Sequence, residues 1–439
     1  MTEITDVDAW EVLDSRGDPT VRVRVEAGDA AGTFTVPAGA STGAHEAVER
    51  RDGGDRYGGR GVREACAAVR DELAPVVAGR SVTDQAGIDE VLVDCDGTEN
   101  LSRLGANAVL GVSGAVAHAA ADATDRPLYA VLAPDAGPGD LPMPMINVLS
   151  GGLHAAADLP IQDFLAVPVG AETYPEALET VWAVRRAAGN RISADRRSAG
   201  NRSPSGDGDG DHPPPVADEG GFVPSVADAD AAFELLVDAI RGAGYAPGDE
   251  VAIAVDVAAT HFYDADRDRY ALAGERLDRA AMVDRVAGWI DAHPICSVED
   301  PLAEDDWDGW ERLADRVGDR VQLLGDDLLA TNADRLARAR GAGAANAALI
   351  KPNQAGTITR TRRVLEAAQD AGWAPVVSAR SGETCDATIA DLAIGLDAGQ
   401  IKIGSLARSE RLAKYNRLLG IARASDGGFA GGDALAPLD

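Results

Sequence analysis

Six short apolar runs in the later part of the chain end in, or carry, side chains that can do chemistry. VAIAVD (251–256) ends in Asp256, ICSVED (295–300) reaches Glu299, and VQLLGDD (321–327) stops at Asp326. AALIK (347–351) ends in Lys351, APVVSAR (374–380) ends in Arg380 with Ser381 next, and QIKIG (400–404) carries Lys402. A single acid after a strand is most often the N-cap of the following helix. Three acids in successive units, facing two lysines, point instead to a metal site. Hard carboxylate oxygens suit Mg²⁺, which keeps places for substrate oxygens. Lysine itself is scarce: Lys351, Lys402 and Lys414 are the only three among 41 basic residues. Arginine cannot serve as a base near neutral pH, whereas a desolvated lysine can. Lys351 is therefore the candidate base. A base beside a divalent cation can remove the α-proton of a carboxylate substrate, because the cation stabilises the charge that develops. A carboxylic acid opposite could protonate a departing hydroxide. Glu219, in the turn ADEGGFVP, is the candidate acid. Its bland reading is an ordinary turn carboxylate.

The elements that must position these groups follow from periodicity. The six runs recur with helical stretches between them, which predicts a parallel α/β barrel or open sheet. Catalytic groups of a barrel sit at the carboxyl ends of its strands. No GxGxxG follows a strand, so a dinucleotide fold is unsupported and the barrel is preferred. Two earlier runs, PMINVLS and IQDFLAVPVG, also read as strands, with helices near 173–188 and 226–242. Residues 1–36 read as an antiparallel meander with one wet face: WEVLD, a Ser-Arg-Gly-Asp-Pro turn, TVRVRVEA and GTFTV. Helices are expected over 60–75, 84–92 and from about 107 to 124. Strands first and helices after make residues 1–133 an α+β domain. The Pro/Gly-rich stretch 134–144 reads as a linker into a barrel domain over 134–439. Residues 190–215 are rich in Pro, Gly, Ser and Asp and read as a low-complexity surface insert without a core of its own. Its DGDGD run resembles part of a calcium loop but lacks the terminal glutamate.

Bulk composition bounds the function classes. The 439 residues carry 72 acids and 41 bases, a net charge of −31. That disfavours nucleic acid and anionic membrane as partners. Asp-rich, lysine-poor surfaces suit strong ionic screening, as in a halophile's cytoplasm; a GC-rich coding sequence favours the same residues. Four scattered cysteines without a CxxC pair exclude a zinc ribbon or disulfide framework as the default. No signal-type or membrane-spanning apolar run is present, so a cytoplasmic protein is expected.

Longer motifs carry a family resemblance. EVLDSRGDPTVRV (11–23), GASTGAHEA (39–47), DGTENLSRLGANAVLGVS (96–113), DEGGF (218–222), VEDPLAEDDWDGW (298–310), GDDLLATN (325–332), IKPNQAGT (350–357), RSGET (380–384) and KIGSLARSERLAKYNRLL (402–419) resemble enolase, phosphopyruvate hydratase, almost end to end. The resemblance implies an α+β N-terminal domain capping a modified TIM-type (β/α)₈ barrel, and dehydration of 2-phosphoglycerate to phosphoenolpyruvate in glycolysis and gluconeogenesis. It implies that Asp256, Glu299 and Asp326 bind one Mg²⁺ and that Ser41 helps bind a second. Lys351 would take the C2 proton and Glu219 would assist loss of the C3 hydroxyl. Lys402 would contact the substrate carboxylate, and Arg380 and Ser381 the phosphate. His154, Gln162 and Asp163 match further substrate-site positions. A homo-oligomer, dimer or octamer, is implied as well.

Departures from the family pattern fall on one side of the site. Asp163 stands where the family usually has glutamate, Ala379 where it has histidine, and Ala217 where it has glycine. The metal-and-base half matches; the acid half is altered. Proton abstraction as in the family, with retuned hydroxide loss, is the expectation. Two other readings remain: a superfamily dehydratase acting on a different acid, and a weakly active copy with a binding or assembly role.

Overall fold

A computed structural model describes residues 2–39, 43–133, 137–152, 159–198, 214–425 and 427–436. Three strands, β1 (Asp6–Leu13), β2 (Pro19–Ala27) and β3 (Ala30–Thr35), form an antiparallel meander in sequence order. The alternation in β2 buries Val21, Val23 and Val25. Helix Ala106–Ala123 lies on that face. It is built from small residues and packs close: a Cβ at Gly32 would come within 2.1 Å of the Ala115 carbonyl oxygen.

Eight strands then close a barrel: β4 (Met143–Ser150), β5 (Asp163–Val167), β6 (Ala252–Asp256), β10 (Ile295–Glu299), β11 (Gln322–Gly325), β12 (Ala347–Ile350), β13 (Ala374–Ser378) and β14 (Gln400–Gly404). Between β6 and β10 a small antiparallel sheet of β7 (Tyr263–Asp264), β8 (Arg269–Leu272) and β9 (Glu275–Leu277) is inserted. The fold is thus the expected mixed α/β TIM-type barrel with an N-terminal α+β domain. One strand breaks the parallel pattern: β5 runs antiparallel to both β4 and β6. No α-helix separates β4 from β5 among the described residues. Two helices, Tyr174–Ser198 and Ala229–Gly242, follow β5 instead.

The two-residue strand period decides which side chains face the barrel axis. Met143 and Met145, Leu165 and Val167, Ala252 and Ala254, Ala347 and Leu349, and Ala374 and Val376 form an apolar inner core. Continuing each series by two residues reaches Asn147, Asp163 (backwards along antiparallel β5), Asp256, Lys351 and Ser378. The polar layer therefore sits on the same inward face, at the open end of the strands. At the opposite end, Gln400 donates to Gln322 at 2.9 Å and to the Ala434 carbonyl at 2.8 Å, and Ala436 N donates to Gln322 at 3.1 Å. The C-terminal segment closes that floor.

The expected insert needs correction at its start. Residues 190–198 continue the helix Tyr174–Ser198, rather than forming a loop. Val181, Val184, Ala188 and Ile192 make one buried stripe at spacings of three and four. Arg191 and Asp195 add an i,i+4 pair at 3.1 Å. Composition hid a helix that periodicity shows. Residues 199–213, with the DGDGD run, lie outside the described residues. The linker reading also shortens, because β4 already begins at Met143.

Candidate active site

One cavity at the open end of the barrel is lined by Gln162, Asp163, Glu219, Asp256, Glu299, Asp326, Lys351, Ala379, Arg380, Ser381 and Lys402, along with Glu46, His261, Asp300 and Asp327. Every expected site residue that the structure describes is in this set. Ser41 and His154 lie outside the described residues.

Two ammonium groups organise the acids. Lys402 Nζ donates to Asp256 Oδ2 at 2.9 Å and to Glu299 Oε2 at 2.6 Å. Burial works against the Lys402 ammonium, but Asp256 and Glu299 outweigh it and hold its pKa well above the ordinary lysine value. Lys351 Nζ pairs with Asp326 Oδ2. Burial again opposes the charge, Asp326 reverses that, and Lys351 also sits above its ordinary value. The Glu299 carboxyl is pushed well up, first by burial and then by Asp256. Asp326 is the exception: Lys351 overcomes its burial and keeps it below the usual range.

The three expected metal ligands are thus split between two lysines. Among the described residues, the carboxylates that each offer one oxygen within 4.8 Å of the others are Asp300, Asp326 and Asp327. Asp300, however, is committed to the backbone: it accepts from Asp326 N at 3.0 Å and Asp327 N at 2.7 Å. It braces the loop that carries Asp326 and is a poor ligand. Asp327 is raised to about 7 by burial and by Asp326. The set Asp256, Glu299 and Asp326 fits a hard cation on a separate observation. Glu299 Oε1 is buried with no hydrogen-bond donor among the described residues. A buried acceptor without a partner costs on the order of 1–3 kcal/mol, which an ion facing it would relieve.

The antiparallel β5 explains how Gln162 and Asp163 join the site. They stand at a strand start, yet the reversed direction puts that start at the open end, with Asp163 opposite Asp256. Gln162 Nε2 donates to Asp256 Oδ2 at 3.0 Å. Asp163 Oδ1 accepts from Asn147 Nδ2 at 2.5 Å and Ser150 Oγ at 2.8 Å. Glu219 enters on the loop after the insert. Its glycines are required by close approach: a Cβ at Gly221 would lie 2.4 Å from Ser150 Oγ and 2.5 Å from Asn147 Oδ1. The loop bearing Glu219 therefore packs on the same pair that holds Asp163. Arg411 Nη1 lies 3.9 Å from Glu219 Oε1.

Several residues of the site were not singled out from sequence. Glu46, in the GASTGAHEA motif, pairs with Arg380 Nη1 at 2.8 Å, and each of the two is 5% exposed. Gln354 Nε2 donates to Asp326 Oδ1 at 3.0 Å and to Glu46 Oε1 at 3.3 Å. Asn353 accepts from Arg380 Nη1 at 3.0 Å. Asn353 and Gln354 follow Lys351 within IKPNQAGT, on a short turn opened by Pro352. A polar residue on the first turn after a strand end that lines the cavity was the available signal. Glu46 gave none, being one acid in a loop of an acid-rich chain.

The altered positions are placed as follows. Ala379 lines the cavity just past β13, and its N donates to the Lys402 carbonyl at 2.9 Å. His261 lines the same cavity from the turn after β6. It follows Ala258, which has φ +49°, a costly backbone for a non-glycine residue.

Comparison with known proteins agrees with this architecture. The family described as "Enolase, C-terminal TIM barrel domain" matches residues 139–436, and "Enolase, N-terminal domain" matches residues 4–132. A curated relative, the enolase of Acidothermus cellulolyticus, is 48% identical over 434 residues, covering 97% of this chain and 95% of the relative. Two domain matches that together span nearly the whole chain, and a relative of that identity, establish that the chain belongs to the enolase family, whose members are Mg²⁺-dependent lyases.

Proposed function

We propose that this chain dehydrates 2-phosphoglycerate to phosphoenolpyruvate, with Lys351 as base and Glu219 as acid. The observation that carries the reading is one cavity in which three strand-end carboxylates, two buried lysines and the Arg380–Ser381 turn converge. Arg380 and Ser381 take the phosphoryl group; a guanidinium matches its oxygens in a fork. Lys402 meets the substrate carboxylate. Asp256, Glu299 and Asp326 would hold one Mg²⁺ and Ser41 would help hold a second, and that positive charge would lie where the substrate carboxylate gains negative charge.

Lys351 removes the C2 proton. It must be neutral to accept that proton, so its pairing with Asp326 has to loosen first. The C2–H electrons become the C2–C3 double bond. The C3–O bond breaks, and Glu219 donates a proton so that water leaves. Arg411, close to Glu219, and the Asn147–Ser150 pair under Asp163 fix the acid side. Asp163 and Ala379 retune this half relative to the family. On that account C2 proton removal proceeds as in the family and hydroxide loss is slower; a misplaced acid costs on the order of 10²-fold.

Supporting the domain division 1–133 and 134–439, helix Leu128–Leu132 precedes β4 and the two family matches meet in that interval. We place the reaction in glycolysis and gluconeogenesis in a high-salt cytoplasm, with the chain a homodimer or larger ring. Among the described residues no helix is long and apolar enough to cross a membrane. The test is direct. Purified protein in molar KCl with Mg²⁺ and 2-phosphoglycerate should generate the ultraviolet absorbance of phosphoenolpyruvate, and Lys351→Ala should not. Turnover no higher than that of Lys351→Ala removes the proposal.

A further inference from the structure

Two of the three lysines stand in the reaction cavity. The third, Lys414, does not, and it is more deeply buried than either, at 1% exposed. It lies on the helix Ser409–Ala424. Its Nζ donates to the Thr384 carbonyl at 2.7 Å and the Glu410 carbonyl at 2.9 Å, and pairs with Glu383 Oε2 at 2.7 Å. An ammonium has three donors, and here each has an acceptor. Glu383, also buried, turns its carboxylate on the backbone of the anion-binding turn. Its Oε1 accepts from Arg380 N at 3.1 Å and its Oε2 from Thr384 N at 3.2 Å.

The same helix grips this turn a second time. Arg411, fully buried, donates from Nη1 to the Arg380 carbonyl at 2.6 Å and from Nη2 to the Ser381 carbonyl at 2.7 Å. Residues 411 and 414 share one helix face, three positions apart. The backbone of residues 380–384 is thus clamped at five points by two cations on one helix: Arg411 at two carbonyls, and Lys414 at the Thr384 carbonyl directly and at two N–H groups through Glu383.

We propose that Lys414 is a positioning residue for phosphate binding. Through Glu383 it fixes the turn, and so fixes where the Arg380 guanidinium and the Ser381 hydroxyl stand. This rests on the reading of the cavity as a 2-phosphoglycerate site. It also accounts for the lysine: a planar five-donor guanidinium at 414 would leave donors without partners in a site closed to water. A chain that uses arginine almost everywhere keeps lysine at the three buried places where a tetrahedral amine has acceptors.

The test uses the full chain in molar KCl with three variants: Lys414→Met, Lys414→Arg and the double variant Lys414→Met with Glu383→Gln. Lys414→Met alone strands a buried carboxylate and destabilises the fold; the double variant removes both charges and is the working probe. The readouts are the dissociation constant of inorganic phosphate, KM and kcat for 2-phosphoglycerate, and melting temperature. The expected result for the double variant is a phosphate dissociation constant and a KM each raised about tenfold, with kcat within about threefold of wild type. Lys414→Arg should show the same KM defect despite its retained charge. Phosphate affinity and KM within twofold of wild type in either variant, once the folded fraction is corrected for, overturn the proposal and leave Lys414 a stabilising ion pair. A wild type that binds phosphate but does not turn over 2-phosphoglycerate would instead remove the proposed function, while the phosphate readout still decides the role of Lys414.

Discussion

Glu46→Gln should make the free protein less stable and its grip on phosphate tighter. Glu46 and Arg380 form a buried pair, with Nη1 to Oε2 at 2.8 Å. Removing one partner of a buried pair costs about 3–5 kcal/mol. Glutamine keeps an oxygen that can accept from Arg380, so a loss nearer the lower end is expected. A phosphoryl group gathered by Arg380 must share that guanidinium with Glu46. Two unit negative charges about 5 Å apart repel by about 3 kcal/mol at an effective dielectric of about 20. Removing the Glu46 charge therefore strengthens phosphate binding by up to about a hundredfold. The assay is thermal melting of wild type and variant across a titration of inorganic phosphate. The variant starts with the lower melting temperature and gains more from phosphate, because stabilisation grows as RT ln(1 + [L]/Kd). The gap between the two proteins should narrow as phosphate rises. If phosphate affinity drops together with stability, Glu46 orients Arg380 instead of competing with its ligand, and the electrostatic reasoning is wrong.

Other outcomes follow from the same structure. Ala379→His returns an imidazole to the cavity wall beside Lys402 and should raise turnover of 2-phosphoglycerate; a decrease in kcat would mean that the acid side is built around the smaller residue. Glu11 hydrogen-bonds Arg56, which holds its carboxyl below the usual range despite partial burial. A depressed carboxyl contributes stability above its unfolded pKa and loses it as pH falls through the folded value. Glu11→Gln should therefore melt below wild type at pH 7, by an amount matching about 1 kcal/mol or less, and the two curves should converge in acid; a gap that persists there contradicts the assignment. A net charge of −31 repels itself, so the melting temperature should climb with KCl from about 0.1 M, where the Debye length is ~10 Å, towards 1 M, where it is ~3 Å. A flat response would detach the composition from salt.

The strand ends that line the candidate site were readable because each strand has a period of two and ends where its apolar run ends. Asp256, Glu299, Asp326 and Lys351 each close such a run and stand at one mouth. Scarcity marked the lysines, and the structure buries all three. What the residues alone did not give was the direction of β5. Its apolar pattern is the same read either way, so the run could not reveal that Asp163 begins the strand at the open end of the barrel. Glu46, Gln354 and Arg411 escaped for another reason. Their work is done by long-range hydrogen bonds, such as Gln354 to Glu46 across 308 positions, and no local spacing encodes those. In residues 190–198 composition misled, because polar residues on the outer face of a helix look like a loop when the buried stripe is not followed.

The central claim is that Lys351 removes the C2 proton of 2-phosphoglycerate at a site whose acid half has been retuned. The most direct measurement is exchange of the C2 hydrogen in deuterated buffer, followed by nuclear magnetic resonance alongside phosphoenolpyruvate formation. The account predicts exchange that outpaces product formation in wild type, and loss of both in Lys351→Ala. Exchange that survives in Lys351→Ala would contradict it.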